Sequence, residues 1–125
     1  MKLSIEKPGA IHLVRGYSAD GVRIDDRLHA HSVVVNATTV IESWPPAAIG
    51  EVTAADLQQV LALEPEVLLL GTGRRQLFPS RELLALLYGA RVGFEIMDTG
   101  AACRTYNVLV GEGRNVAAAL IVERG

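Results

Sequence analysis

The chain has 125 residues, half of them hydrophobic and 21% charged, with a formal net charge of -2. That length and balance describe one globular domain over residues 1–125, able to bury a core without staples, and exclude a disordered segment. A single cysteine excludes an intrachain disulfide framework and a multi-cysteine zinc site, and the near-neutral charge excludes a nucleic-acid footprint. The aliphatic runs fall far short of the ~18–20 residues of a membrane span. Met1-Lys2-Leu3-Ser4-Ile5-Glu6-Lys7-Pro8 has no apolar stretch of a secretory signal. A soluble, cytoplasmic domain is the expectation.

In chain order, Ile11, Leu13 and Tyr17 alternate around His12 and Arg15 as a half-buried strand does. Ser18-Ala19-Asp20-Gly21 is a turn signal, after which Val22 and Ile24 read as a short returning strand. A longer strand is expected from Leu28 to Val35, turned by Asn36-Ala37, and a further short one from Val40 to Ser43. Residues of about 10–43 are thus antiparallel and hairpin-rich. Past Trp44-Pro45-Pro46 the period changes, and about 53–122 alternates helix with strand.

Thr53 is placed to cap a helix with Asp56 at its third position, and Leu57, Val60 and Leu61 form its apolar stripe. Glu64-Pro65 ends it, since the residue before proline is pushed out of the helical region. Val67 to Leu70 is continuously apolar, the pattern of a strand covered on both faces, and Gly71-Thr72-Gly73 breaks it. Pro79 fits the first position of a second helix with a Leu83, Leu86 and Leu87 stripe and Gly89 just past its end. Arg91 to Met97 is the next strand. Asp98-Thr99 caps a third helix from about Ala101 to Val110, and Val116 to Val122 is a last buried strand. Short linkers of this kind favour right-handed crossovers and parallel strands.

In such a sheet the loops after the strands share one edge, where ligands usually bind. Gly71-Thr72-Gly73-Arg74-Arg75-Gln76 and Asp98-Thr99-Gly100-Ala101-Ala102-Cys103-Arg104 belong there, joined by Ser43-Trp44-Pro45-Pro46 if the Val40–Ser43 strand runs parallel. Two arginines follow the glycine pair, and a helix N-terminus at Thr99 offers unpaired N–H groups that suit an anion. Gln76 stands where a dinucleotide fingerprint has its third glycine, and no phosphate-binding Lys-Ser/Thr follows. The plainer reading is a tight turn in which Arg74 or Arg75 pairs with Asp98.

Cys103 sits in the first turns of the third helix, where a dipole lowers a thiol pKa, yet no histidine is near it in sequence. A free cysteine is more often a small buried hydrophobe. Asn107 lies on an apolar stripe, so its amide is expected to tie the helix to a loop such as the glycine turn. His29 and His31, two apart on the expected strand, share a face. With only His12 to join them they read as exposed strand histidines, and neither a metal site nor a cofactor is expected.

The ordered set Gly71-Thr72-Gly73, Met97-Asp98-Thr99, Ala102-Cys103-Arg104-Thr105-Tyr106-Asn107-Val108-Leu109 and Glu112-Gly113-Arg114, with Ser43-Trp44 upstream, resembles the respiratory complex I assembly factor 3 family. The resemblance runs from about Ile11 to Val122, and this chain looks like one of the family's bacterial members. It implies an α/β fold of three layers: a central, mostly parallel sheet with helices on its faces, plus a smaller antiparallel sheet from the N-terminal part. It also implies a non-enzymatic assembly role exercised with partner proteins, and it carries over no catalytic residue.

The reading that follows is a protein-binding module, with no nucleic acid as partner and homodimerisation left open. Its candidate surface is Ser43, Trp44, Gly71, Thr72, Gly73, Arg74, Arg75, Asp98, Thr99, Cys103 and Asn107, with Trp44 beside its prolines as a rigid anchor. The alternative is a small-anion or nucleotide-binding protein, an enzyme included, that holds its ligand with Arg74, Arg75 and the Thr99 helix end. A third reading makes Cys103 a catalytic thiol.

Overall fold

The apolar runs Val33–Val35, Val67–Gly71 and Val116–Leu120 lie side by side in the middle of a five-stranded sheet, because strands without a polar face must be covered on both sides. The computed structural model describes residues 10–124. Its strands are β1 (Val14–Ser18), β2 (Gly21–Ile24), β3 (Arg27–His29), β4 (Val33–Val35), β5 (Val40–Ile41), β6 (Val67–Gly71), β7 (Gly93–Met97) and β8 (Val116–Leu120). Helices α1 (Ala54–Leu61), α2 (Arg81–Gly89) and α3 (Thr99–Gly111) alternate with the last three strands. The large sheet has the order β5-β4-β8-β6-β7, and β1-β2-β3 form a separate antiparallel sheet. Strands β6, β7 and β8 are parallel, and β4 is antiparallel to both β8 and β5. The expected α/β architecture is what the chain adopts.

Strand parity sorts the core. Val33, Val35, Leu69, Ala118 and Leu120 face α3 and the small sheet, meeting Ala102, Cys103, Tyr106, Val22 and Ile24. Val34, Leu68, Leu70, Ala117 and Ala119 face Leu57 and Val60 of α1, Leu83 and Leu87 of α2, and Trp44. The helices begin where short polar side chains can hold free N–H groups. Thr53 and Asp56 form the expected reciprocal box, with the Asp56 N–H donating to Thr53 Oγ1 (3.1 Å) and the Thr53 N–H to Asp56 Oδ2 (2.9 Å). Asp98 accepts the Ala101 N–H at 2.8 Å.

Several local expectations are corrected. The single strand expected from Leu28 to Val35 is two strands in different sheets, broken at 30–32. Buried Ser32 makes the break. Its carbonyl accepts the Trp44 N–H (2.8 Å), and its hydroxyl donates to the Pro46 carbonyl and accepts the Val122 N–H (2.9 Å). His29 and His31 therefore do not share a strand face, and His29 is buried at 8% exposure while only His31 is exposed. Pro79 precedes the cap of α2 and Ser80 is the cap, accepting the Leu83 N–H. Past the end of α2 the left-handed residue is Arg91 (φ 60°), not Gly89. In β1 the pairing slips between Val14 and Gly16, so Arg15 is the extra residue of a bulge; Val14 is buried in the core, and Leu13 and Tyr17 pack against it half-buried.

Asn107 ties α3 to β1 and not to the glycine turn. Its Oδ1 accepts the Val14 N–H (2.9 Å) and its Nδ2 donates to the Val14 carbonyl (2.7 Å), so one side chain stands in for a neighbouring strand. The hydroxyl of the adjacent Tyr106 donates to the His12 carbonyl at 2.8 Å. Asn107→Ala removes both partners of Val14 and should cost about 2 kcal/mol in urea unfolding. A loss below about 0.5 kcal/mol would mean water replaces the amide without penalty.

Candidate functional site

Strand β5 is antiparallel to β4, which is antiparallel to β8, so β5 points the same way as the three parallel strands. The segments after β5, β6, β7 and β8 therefore reach one edge, as the sequence suggests for a parallel arrangement. At that edge the Thr72 N–H donates to the Met97 carbonyl (2.8 Å), and the Thr72 hydroxyl donates to the Arg75 carbonyl (2.6 Å) while accepting the Leu77 N–H (3.1 Å). Thr99 Oγ1 accepts the Gly73 N–H (2.8 Å) and donates to the Ile121 carbonyl (2.7 Å). The Thr99 N–H returns to the Gly73 carbonyl at 2.8 Å. A Cβ at Gly71 would lie 3.0 Å from Thr99 Cα, and Gly73 holds a left-handed φ of 105° against the Glu123 side chain. Glu123 Oε1 in turn accepts the Arg74 N–H at 2.7 Å.

Gly71, Thr72, Gly73, Asp98 and Thr99 are thus brought together, but as a self-satisfied knot. At the helix end expected to hold an anion, the Thr99 N–H is occupied by the Gly73 carbonyl and the Ala101 N–H by the Asp98 carboxylate. Arg74 and Arg75 are exposed and neither pairs with Asp98; the ion pairs among the described residues are His12–Asp25, Arg27–Glu42 and Arg114–Glu66.

Trp44 is 1% exposed, and its Nε1–H donates to the Asp56 carbonyl at 3.1 Å, so the expected surface anchor is a core residue. Ser43 stays exposed with a left-handed φ of 55° and lines a cleft of about 260 Å³ with His31, Pro45 and Arg124. Cys103 is buried at 5% exposure, and burial pushes its thiol up to about 12, which sets aside the catalytic-thiol reading at neutral pH.

Two features were missed. Leu77 and Phe78 follow the Gly-Thr-Gly turn with their side chains in solvent, Phe78 at 69% exposure. An apolar pair in a loop between Gln76 and Pro79 has no periodic place in a core, and that was the available signal. The second is a cleft of about 250 Å³ between β1 and α3, lined among others by Arg15, Tyr17 and Arg104. It depends on the Arg15 bulge, and no local pattern announces a slip in strand register.

A family model described as a protein of unknown function (DUF498/DUF598) matches residues 14–121. A Francisella tularensis subsp. holarctica relative named 13 kDa major membrane protein is 36% identical over 92 residues, 73% of this chain and 75% of that one. A Danio rerio relative named NADH dehydrogenase (ubiquinone) 1 alpha subcomplex assembly factor 3 is 32% identical over 111 residues, 87% of this chain and 63% of the relative. The chain therefore spans less than two-thirds of that relative's length. The crystal structure of a Bordetella parapertussis protein matches with TM-score 0.83 and 40% identity, over 90% of this chain and 96% of that one. These likenesses bear out the resemblance drawn from the sequence and the α/β fold it implies. Among the described residues no helix is long and apolar enough to cross a membrane.

The burial of Cys103 has two measurable consequences. At pH 8 iodoacetamide should label the native chain at least about 100-fold more slowly than the chain in urea, since the thiolate is the reactive form. Equal rates would mean that the thiol is open to solvent. The thiol's pKa rises from 9.0 to about 12 on folding, so above about pH 9 the unfolded chain binds fewer protons and stability falls as pH rises toward 12. Cys103→Ala should flatten that alkaline decline in unfolding curves.

Proposed function

The chain belongs to the DUF498/DUF598 family, and we propose that it works as a protein-docking module of the assembly-factor kind. The observation that carries this reading is the exposed Leu77-Phe78 tip beside the Gly-Thr-Gly knot. The loop is held before any partner arrives. The Leu77 N–H donates to Thr72 Oγ1, and Gln76 Nε2 donates to the Ile96 carbonyl at 2.8 Å on the outer strand β7. A fixed loop loses less entropy on binding than a mobile one, and a presented aromatic is the usual hot spot of an interface. Phe78 takes the role that the sequence suggests for Trp44.

The Danio rerio relative's name supplies the process to look at first, assembly of a respiratory NADH dehydrogenase. Docking through this edge needs no chemistry from Thr72, Asp98 or Thr99, whose polar groups are engaged within the chain.

A photoreactive amino acid in place of Phe78, in the full chain inside cells, should form a discrete adduct with another protein. The same probe in place of exposed Glu112, past the far end of α3, should not. No adduct at either position, or the same adducts at both, would overturn the reading. Phe78→Ser should change unfolding free energy by no more than about 0.5 kcal/mol, as for other exposed sites, so failure of that variant to co-purify the protein found in the adduct would reflect docking and not folding.

A further inference from the structure

We propose that the cleft between β1 and α3 binds a small oxyanion, a carboxylate or a phosphate, held between the guanidinium groups of Arg15 and Arg104. This inference stands apart from the docking reading, because its residues lie on the opposite face of the large sheet from α2 and outside the Leu77-Phe78 loop.

The cleft is built by the bulge. In an unbroken strand Val14 and residue 16 would share the face toward α3; the slip at Arg15 instead turns Val14 and Tyr17 that way. Gly16 lines the cleft as bare backbone, and a Cβ there would meet nothing within 4 Å. On the helix wall Gly100 leaves a second gap, where a Cβ would lie 3.4 Å from Asp98 Oδ1, 3.4 Å from the Tyr17 ring and 3.5 Å from Arg104 Nη1. The result is about 250 Å³ of open space, just under the ~300–1,000 Å³ of drug-sized pockets, which suits a small ligand and not a nucleotide.

Its charge is lopsided. The chain carries 14 acidic and 12 basic residues, yet this lining holds two arginines and no carboxylate. Neither Arg15 nor Arg104 has an ion-pair partner among the described residues, whereas Arg27 and Arg114 do. The other polar groups of the lining do not oppose an anion. Asn107 is used on both sides by Val14, and the Cys103 thiol at the floor keeps its proton. Tyr17 keeps its proton too, because burial and then the Glu123 carboxylate raise its pKa, so its hydroxyl is a donor. The two acids near Tyr17 lie outside the lining and are each held by a backbone N–H, Glu123 by Arg74 and Asp98 by Ala101. Arginine is the residue suited to such a ligand, because its planar fork meets carboxylate and phosphate oxygens two at a time.

The test is a chemical-shift titration of the full chain with inorganic phosphate and, separately, with succinate, against sodium chloride at matched ionic strength. Saturable shifts at the amides of Gly16, Tyr17, Gly100 and Arg104 with phosphate or succinate, but not chloride, are expected. The anion that saturates first identifies the class. Arg15→Gln with Arg104→Gln should weaken binding by about tenfold or more while leaving the rest of the spectrum in place. Arg15→Lys with Arg104→Lys, which keeps the charges and loses the forks, should fall between. Shifts that follow chloride, or that persist unchanged in either double variant, would overturn the proposal.

Discussion

Thr99 is wholly buried, and a buried hydroxyl has to find both a donor and an acceptor or forfeit much of its hydration energy. It finds the Gly73 N–H and the Ile121 carbonyl, on the chain that leaves β6 and the chain that leaves β8. One side chain at the start of α3 thus fixes where the helix sits against two strands. Its backbone N–H on the Gly73 carbonyl adds a second bond in the same direction. Gly71 has to lack a Cβ because α3 begins 3.0 Å from where one would lie, and Gly73 has to turn left-handed to return both of its polar groups to Thr99. The most distinctive segments of the sequence are in this light parts of one joint.

That joint explains why the carboxyl edge differs from an ordinary ligand-binding edge of a wound sheet. A helix N-terminus attracts an anion when its first N–H groups are free. Here the neighbouring loop takes the Thr99 N–H and the helix's own Asp98 takes that of Ala101, so two of the first three N–H groups are spent within the fold. Thr72 is engaged in the same manner, holding Arg75 and Leu77 in place. What the knot leaves outward is the loop it anchors, and that loop ends in Leu77 and Phe78.

The parts legible in the sequence are those whose cause is local. Val67 to Leu70 and the Val116 run declare double burial by having no polar face, and Thr53 with Asp56 declares a helix start within four residues. The parts that were not legible depend on partners far along the chain. Ser32 breaks the expected long strand because of bonds to Trp44, Pro46 and Val122, the last of them 90 residues away. Asn107 was recognisable as an amide in need of partners, but those partners are on Val14, 93 residues earlier. Trp44 reads locally as a loop aromatic between serine and two prolines. Its burial follows from the packing of α1, which offers both apolar surface and the Asp56 carbonyl to its indole N–H.

The same distinction separates the Leu77-Phe78 tip from the β1–α3 cleft. The Leu77-Phe78 tip is a consequence of sequence composition, two apolar residues where no strand or helix can bury them. The β1–α3 cleft is a consequence of register. Asn107 pairs with the backbone of Val14 and brings β1 against the helix, and one residue later the pairing of β1 with β2 slips. The same residues in regular register would put Tyr17 on the other face and leave α3 to be covered by Val14 and Gly16. The orientation of Tyr17 and the place of Arg15 beside the cleft therefore follow from the same slip in register. Deleting Arg15 would restore regular pairing in β1, keep Tyr17 two places from Val14 and so on the same face, and take one of the two arginines away from the cleft.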